Sequence, residues 1–386
     1  MTKILFFTDL HSNAHARIFA GVCERARAFG WRVIEIEYAR TDRPAEDFIA
    51  HWQPLGVIVE CSYLGESLNT KAYSAVPAVY IDPAHVPPHA PIWSLTLDSA
   101  AVAQLAFDEL TRLRPAAYAY VGWSGWEGLH DAVWSKDRGE AFRRLADEEG
   151  KRLHLFPGKW SRTDILDAQR QMADWLKRLP KPCGIFAAND MTAEIVLDAA
   201  EFAGLSVPTD ISVIGVDNDL LRAENTTPSL TSIEPDSAAA GRLAAELLAE
   251  RLAGSPDQLR QVSYEPARIV RRGSTQALGN ADALIRDMVE RIRREACFGL
   301  SPADLLKGAT ASRRLIEQKF RSATGRSLGE EIAEVRFARV FELLVDPHCP
   351  IGDIAAESGW KSDSYLKRAF KRRTGQTLRA WRQTHA

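Results

Sequence analysis

The chain lacks most of the features that signal small-molecule chemistry. Its five cysteines, Cys23, Cys61, Cys183, Cys297 and Cys349, are odd in number, widely spread and without a C-x-x-C pair. That excludes a disulfide framework or a zinc ribbon. There is no G-x-x-x-x-G-K-[ST] loop and no strand followed by G-x-G-x-x-G, so the usual phosphate cradles are missing. No G-x-S-x-G elbow occurs, and nucleophilic hydrolysis therefore lacks its element. Apolar runs stay well short of a membrane span. Met1-Thr2-Lys3 leads into a short apolar strand, and Asp9 and His11 follow too soon for a signal-peptide core. A reducing cytoplasm is the expected compartment. Net charge is scarce as well: the formal value over 386 residues is −2.

That small value hides an asymmetry. From Ala281 onward about 20 Lys and Arg face about 14 Asp and Glu, whereas the preceding residues stand near 29 against 37. A basic C-terminal module on an acidic body fits a DNA reader attached to a part that binds no polyanion. The length suits two or three domains of ordinary size.

The first 275 or so residues alternate short apolar runs with amphipathic stretches. Strands are expected at 4–7, 31–36, 55–59, 78–81, 117–121, 184–187, 212–216 and 261–264. Helices are expected between them, at 45–52, 99–113, 136–150, 163–179 and 191–204. This is a βαβ pattern, and it is too long for one modest sheet. The expected fold is α/β and two-lobed, with two doubly wound parallel sheets side by side. Lobe one takes about 1–98 and 235–265, and lobe two about 101–232. The stretch 260–281, with Pro266, Gly273 and Gly279, reads as a last sensor strand followed by a linker.

Ligands of such folds sit beyond the carboxyl ends of the strands, in the crevice between lobes. The pattern places Asp9, His11 and Asn13 there after the first strand, and Glu60, Ser62 and Tyr63 after the third. Asp98 closes SLTLD at the lobe crossing. Trp123 and Trp126 follow Val121-Gly122, with Trp134 and Arg138 entering the next helix. Asn189-Asp190 end GIFAAND, and Asp217-Asn218 end VIGVDN. Paired donors and acceptors beside flat aromatic faces suit a sugar, with its hydroxyl ring and C–H faces.

The C-terminal 106 residues read as an all-α domain with two helix-turn-helix motifs. In the second, Ile354, Ala355 and Ala356 begin a short helix that Ser358-Gly359 breaks. Ser362 caps the next, whose Leu366, Ala369 and Phe370 share one face while Lys367, Arg368, Lys371, Arg372 and Arg373 take the other. Ser312, Ile316, Phe320, Thr324 and Gly325 match Ser362, Leu366, Phe370, Thr374 and Gly375 at an offset of about fifty residues, which makes the motif a repeat. A helix at 328–344 joins the two. Helices apolar inside and cationic outside suit the DNA major groove. Candidate DNA contacts are Arg313, Arg314, Gln318 and Arg321 in the first head. In the second they are Lys361, Ser364, Tyr365, Lys367, Arg368 and Lys371. In the first head Ala309 stands where the second has Gly359, and Gly308 comes one residue early.

The tandem arrangement over 281–386 resembles the DNA-binding domain of AraC/XylS-family transcription regulators. LTLDSAAVAQLAFDEL, KDRGEAF, and the run from AANDMTAEIVLDAAEF to ISVIGVDN resemble the sensor of LacI/GalR regulators, a periplasmic-binding-protein architecture. That resemblance implies effector-holding roles for Asp98, Arg138, Asn189 and Asp217. Asp9, Glu60, Trp134 and Asp190 complete the candidate set. The usual N-terminal DNA-binding headpiece has no counterpart before the first strand, so DNA reading is expected at the other end. A chain joining such a sensor to such a reader resembles the sugar-responsive activators of pentose operons. This implies operator DNA, a pentose, RNA polymerase and a second copy of the chain as partners, with no cofactor, no metal, no catalytic residue and no membrane.

Three alternatives stand beside this reading. A hexose or a purine is a different effector for the same architecture. The block TDLHSN at 8–13 resembles the first metal-ligand block of metallophosphoesterases, but the later G-N-H and G-H-x-H clusters are absent. His11 and His15, spaced i, i+4, lack a third zinc ligand.

Overall fold

The computed structural model describes residues 2–8, 13–37, 43–62, 70–83, 92–123, 132–157, 165–254, 260–276, 283–309, 311–324, 326–346 and 349–385. Two compact units divide the chain, Met1–Ala277 and Leu278–Ala386.

The first unit runs β1 (Thr2–Thr8), α1 (Asn13–Ala28), β2 (Trp31–Glu37), α2 (Ala45–Trp52), β3 (Gly56–Glu60), β4 (Ala78–Ile81) and β5 (Trp93–Leu97). Then come α3 (Ser99–Thr111), β6 (Ala117–Val121), α4 (Val133–Glu148), β7 (Leu153–Leu155), α5 (Ile165–Arg178), β8 (Cys183–Ala187), α6 (Asp190–Phe202), β9 (Ile211–Val216), α7 (Leu220–Ala223) and β10 (Thr231–Pro235). It ends with α8 (Ser237–Ala253), β11 (Arg260–Tyr264) and β12 (Pro266–Val270). The strands form two six-stranded sheets, ordered β11-β5-β4-β3-β1-β2 and β12-β10-β9-β8-β6-β7. Every neighbouring pair is parallel except β10–β12. Strands β3, β6, β8 and β9 are buried along their whole length, as inner strands of a sheet covered on both faces should be.

The chain crosses between the sheets at Asp98, Asp236 and Glu265. Two crossings are fixed by helix caps. The Asp98 carboxylate accepts from the amides of Ala100 and Ala101 at 2.8 and 2.9 Å, and the Asp236 carboxylate accepts from Ala239 at 3.0 Å. Helices α1 and α8 then pack backbone to backbone under the first sheet. A Cβ on Gly21 would stand 2.1 Å from the Ala238 carbonyl oxygen, and one on Gly241 2.0 Å from that of Ile18.

Strands β5, β7, β10 and β12 were not among those expected from sequence. The clearest difference is β12: residues expected to be linker form an antiparallel partner of β10. Arg272, Ser274 and Thr275 behind it are buried, because their polar groups are satisfied by Val213, Leu230 and Thr231 of the second lobe.

The second unit consists of α9 (Ala283–Glu295), α10 (Pro302–Leu305), α11 (Arg313–Thr324), α12 (Leu328–Val345), α13 (Ile354–Glu357), α14 (Asp363–Thr374) and α15 (Leu378–His385). It has two cores. Ile285, Met288, Ile292, Ile316, Phe320 and Ile332 form one, and Val340, Leu344, Ile354, Leu366 and Phe370 lie in the other, so α12 belongs to both. Arg336 of α12 donates to the carbonyls of Ala296 and Leu300 at 2.9 and 2.8 Å. Arg382 donates to Leu343 and Leu344 at 2.9 Å each, satisfying carbonyls at the carboxyl end of α12. Among the described residues no helix is long and apolar enough to cross a membrane.

The α1–α8 contact gives a direct prediction. Gly241→Val should destabilise the first unit by about 1–3 kcal/mol, because neither backbone can move away. Gly329→Ala, in open space, should be near neutral. Thermal unfolding of the two variants checks this, and equal midpoints would contradict it.

Candidate ligand cleft and nucleic-acid interface

A crevice lies at the carboxyl ends of both sheets, lined by His15, Ser62, Asp82, Leu97, Trp134, Arg138, Asp217 and Tyr264. Counting the open solvent at its mouth, its empty volume is about 500 Å³.

On the second lobe, β9 ends in two non-glycine residues with left-handed backbone, Asp217 at φ 109° and Asn218 at φ 47°. Such conformations cost on the order of 1–3 kcal/mol each and persist only where the surroundings impose them. Here the Asp217 amide donates to the Ile233 carbonyl at 2.9 Å, and the Asn218 amide donates to the Ser232 hydroxyl at 2.9 Å. Arg17, from α1 of the first lobe, donates to the Asp217 carbonyl at 2.5 Å. The Asp217 carboxylate lines the crevice with no hydrogen-bond partner among the described residues, and burial raises its pKa above the ordinary value. Arg138 is buried; its Nη1 donates to the Ala188 carbonyl at 2.6 Å, and its guanidinium sits 4.7 Å over the Trp134 ring. Among the described residues, the buried Arg138 Nε has no hydrogen-bond partner. The Trp134 indole N–H reaches across to the Ser62 carbonyl of the first lobe at 2.8 Å.

On the first lobe, Asp82 follows β4. Its Oδ1 accepts from the Leu97 amide at 2.8 Å, and the Ser62 and Tyr264 hydroxyls lie 3.4 and 3.5 Å from Oδ2. Burial pushes the Asp82 carboxyl up to about 6 and drives the Tyr264 phenol well above its usual range. Behind this wall His15 Nε2 stands 3.4 Å from Glu60 Oε1, which also accepts from the Ser62 amide at 3.0 Å. Burial alone would raise the Glu60 pKa, yet His15 and Ser62 together bring it below the ordinary value. Among the described residues, the buried Glu60 Oε2 has no hydrogen-bond partner.

Of the candidates named from sequence, Ser62, Trp134, Arg138 and Asp217 line the crevice. Glu60 stands one layer behind, through His15. The Asp98 side chain caps α3, outside the lining. Asn189 caps α6, accepting from the amide and hydroxyl of Thr192 at 2.9 and 2.8 Å. Asp190 accepts from the Ser232 hydroxyl at 2.6 Å and the Asp219 amide at 2.8 Å. Burial, with the neighbouring Asp217 charge, raises its pKa well above the ordinary value. Gly215 makes room for that carboxylate, since a Cβ there would lie 2.2 Å from Asp190 Oδ1. Trp123 is buried in the core of the second lobe. Asp9, His11, Tyr63 and Trp126 lie outside the described residues. Sequence reasoning took His15 only as a possible zinc ligand and passed over Arg17, Asp82 and Tyr264. Asp82 and Tyr264 stand at strand ends, and the rule that selected Asp217 finds them too. Among the described residues no group of three His, Cys, Asp or Glu side chains can hold a metal.

In the second unit the repeat is reproduced bond by bond. Ser312 and Ser362 hydroxyls accept from the amides of Leu315 and Tyr365 at 3.4 and 3.3 Å. Thr324 and Thr374 hydroxyls each donate to a carbonyl four residues back, Phe320 and Phe370, at 2.9 Å. Gly325 lies outside the described residues, while Gly375 ends α14 at φ 76°. The turns differ as the sequences do: Gly308 at φ 77° serves the first head and Gly359 at φ 73° the second. Arg313, Arg314, Gln318, Arg321, Lys361, Ser364, Tyr365, Lys367, Arg368 and Lys371 are all exposed. Arg313, Arg321 and Lys367 make surface ion pairs with Glu317, Glu330 and Asp363, a kind that dissolves at little cost. Arg373, also exposed, pairs with Glu334 and covers the Phe337 ring.

The raised Asp82 carboxyl sets a pH dependence. Its contribution to stability is present in full below its ordinary value of 3.8 and is lost as pH rises through about 6. The Asp82→Asn variant should therefore gain stability on the wild-type chain across that window and hold the gain above it. Thermal unfolding against pH checks this; parallel profiles would contradict it.

Comparison with known proteins agrees with this architecture. Residues 107–275 match the periplasmic binding protein-like domain, and residues 297–384 match a helix-turn-helix domain. The xylose operon regulatory protein of Haemophilus influenzae is 27% identical over 296 residues, 76% of this chain and 75% of that protein. The protein of the same name from Escherichia coli K12 is 27% identical over 302 residues, 77% of this chain and 75% of its own length. The solved structure of the xylose-binding transcription activator XylR aligns with a TM-score of 0.63 and 24% identity, over all of this chain and 98% of that one. The chain thus joins a periplasmic binding protein-like domain to a helix-turn-helix domain, and over three quarters of its length it is similar to xylose operon regulatory proteins.

Proposed function

We propose that residues 1–275 sense a pentose of the xylose class in the crevice, and that residues 281–386 read operator DNA in response. The observation that carries this reading is the triad of Asp217, Arg138 and Trp134. Among the described residues, a carboxylate without a hydrogen-bond partner, a guanidinium with a buried N–H likewise without one, and an indole present an acceptor, a donor and a flat apolar face within one crevice. A small ring of hydroxyls with C–H faces matches that set. Asp82, Tyr264 and Ser62 supply the opposing polar wall. Asp98 and Asn189 act on the ligand through the helices that they cap. The xylose-operon names of the relatives support the sugar class, and so does the acidic balance of the crevice, which disfavours a phosphorylated ligand.

The reader works as a pair of heads on one face of the duplex. Arg314, Gln318, Lys361 and Arg368 are candidates for base edges, and Lys371 for phosphate. The regulator acts in the cytoplasm as a homodimer on two half-sites, and it activates a pentose-utilisation operon together with RNA polymerase. Sugar binding drives this only through unequal affinity for two lobe arrangements.

Three measurements test the reading. Thermal-shift assays of the full chain against pentoses and hexoses should show stabilisation by xylose of about 2.7 kcal/mol at a hundredfold excess over Kd. No shift with any sugar would contradict it. Asp217→Asn keeps a residue that tolerates the left-handed backbone and should abolish that shift while leaving DNA binding without sugar unchanged. A retained shift would remove Asp217 from the site. Arg368→Ala should weaken operator binding by about 1–3 kcal/mol and relax specificity at one base pair; an unchanged affinity would place it off the duplex.

A further inference from the structure

The last described stretch of the first unit, 271–276, precedes the chain that passes to the reader. It is anchored in the second lobe rather than free. Ser274 Oγ donates to the Val213 carbonyl at 2.6 Å and accepts from the Thr231 amide at 2.8 Å. Thr275 donates to Glu109 at 3.0 Å. Between these anchors and the crevice stands Arg272, itself buried. Its Nε donates to Glu224 at 2.5 Å, Nη1 to the Leu230 carbonyl at 3.0 Å, and Nη2 to the Asn218 side-chain oxygen at 3.0 Å.

Asn218 directly follows the crevice-facing Asp217, and the two share the left-handed turn. Its side chain has two ends. Oδ1 accepts from Arg272, while Nδ2 donates to Glu234 Oε1 at 3.3 Å. Arg17 of the other lobe meets that same Glu234 oxygen at 3.5 Å. A ligand pulling on the Asp217 carboxylate, or a lobe movement pulling on its carbonyl through Arg17, turns the next residue. Asn218 cannot turn without displacing Oδ1, and a planar guanidinium held at three acceptors follows as a unit.

We propose that the Asn218–Arg272 hydrogen bond is the positioning link that carries the occupancy of the crevice to the segment leading into the reader. The proposal rests on Asp217 being a ligand contact, as the proposed function has it. Neither residue lines the crevice, so removing the link separates sugar binding from its effect on DNA.

The test uses the full chain, D-xylose and an operator duplex selected in vitro with the wild-type protein. Two variants break the link from opposite sides. Asn218→Gly keeps the backbone conformation, and Arg272→Lys keeps the charge beside Glu224 but loses the fork. Calorimetry gives xylose affinity, and fluorescence anisotropy gives operator affinity with and without saturating xylose. The wild-type chain should show an operator-affinity ratio between the two states in the range of about 5- to 150-fold. Both variants should bind xylose within about threefold of wild type while that ratio falls below about twofold. An undiminished ratio with intact xylose binding overturns the link. Loss of xylose binding in both variants overturns it too, by placing the pair in the ligand site. Should a variant fail to fold, hydrogen exchange in the wild-type chain decides: amide protection in 271–276 should change on adding xylose, and unchanged protection overturns the proposal. A wild-type chain that binds no sugar overturns the functional reading and the link with it. One that binds and responds while the variants respond equally overturns the link alone.

Discussion

The guanidinium of Arg17 is the contact on which the sensor depends. It leaves α1 on the first lobe and reaches the Asp217 carbonyl and Glu234 on the second. Asn13, one turn earlier, adds a bond to the Asp219 carboxylate at 2.6 Å. These bonds, with Trp134 on the Ser62 carbonyl, span the crevice between two sheets that are otherwise joined by three crossings of the chain. The Asp217-Asn218 turn is strained, and it stays in place because its carbonyl and its amides are held. A carboxylate is thereby left facing the crevice with little freedom to withdraw. Preorganisation of this kind lets a small ligand compete with water, since the ordering cost is met by the fold beforehand.

The reader follows a different logic. Its two heads are small and would bury little apolar surface alone; α12 solves this by contributing to both cores. Arg336 and Arg382 satisfy loose carbonyls at the two ends of that arrangement, so cations are used internally as well as on the surface. The exposed cations lie on α11 and α14, opposite Ile316, Phe320, Leu366 and Phe370. Amphipathicity therefore fixes both the fold of each head and the face it offers to a polyanion.

Much of this was legible in the amino-acid order, for identifiable reasons. Inner strands such as β1, β8 and β9 are continuous apolar runs because both of their faces are covered, and such runs stand out. Strands β5, β7, β10 and β12 did not stand out. They carry polar side chains or a proline, and β10 owes its burial to partners such as Arg272 that only the folded chain brings together. The crevice behaved likewise. Position after a strand selected Asp217, and it also selected Asp98, Asn189 and Asp190, whose side chains cap helices or brace the floor. A carboxylate or amide at the start of a helix serves as cap and as ligand group equally well on paper. The pairing of His15 with Glu60 joins α1 to β3 and has no local signature. The tandem heads were the most legible part, because a repeat in register carries its own internal check.

Operator affinity of the wild-type chain, followed by fluorescence anisotropy through a saturating D-xylose titration at fixed salt, tests the central claim most directly. A sensor whose two lobe arrangements bind sugar unequally must move that affinity by about 5- to 150-fold, with a midpoint matching the sugar's own Kd. An affinity that stays flat while calorimetry shows the sugar bound would contradict the account.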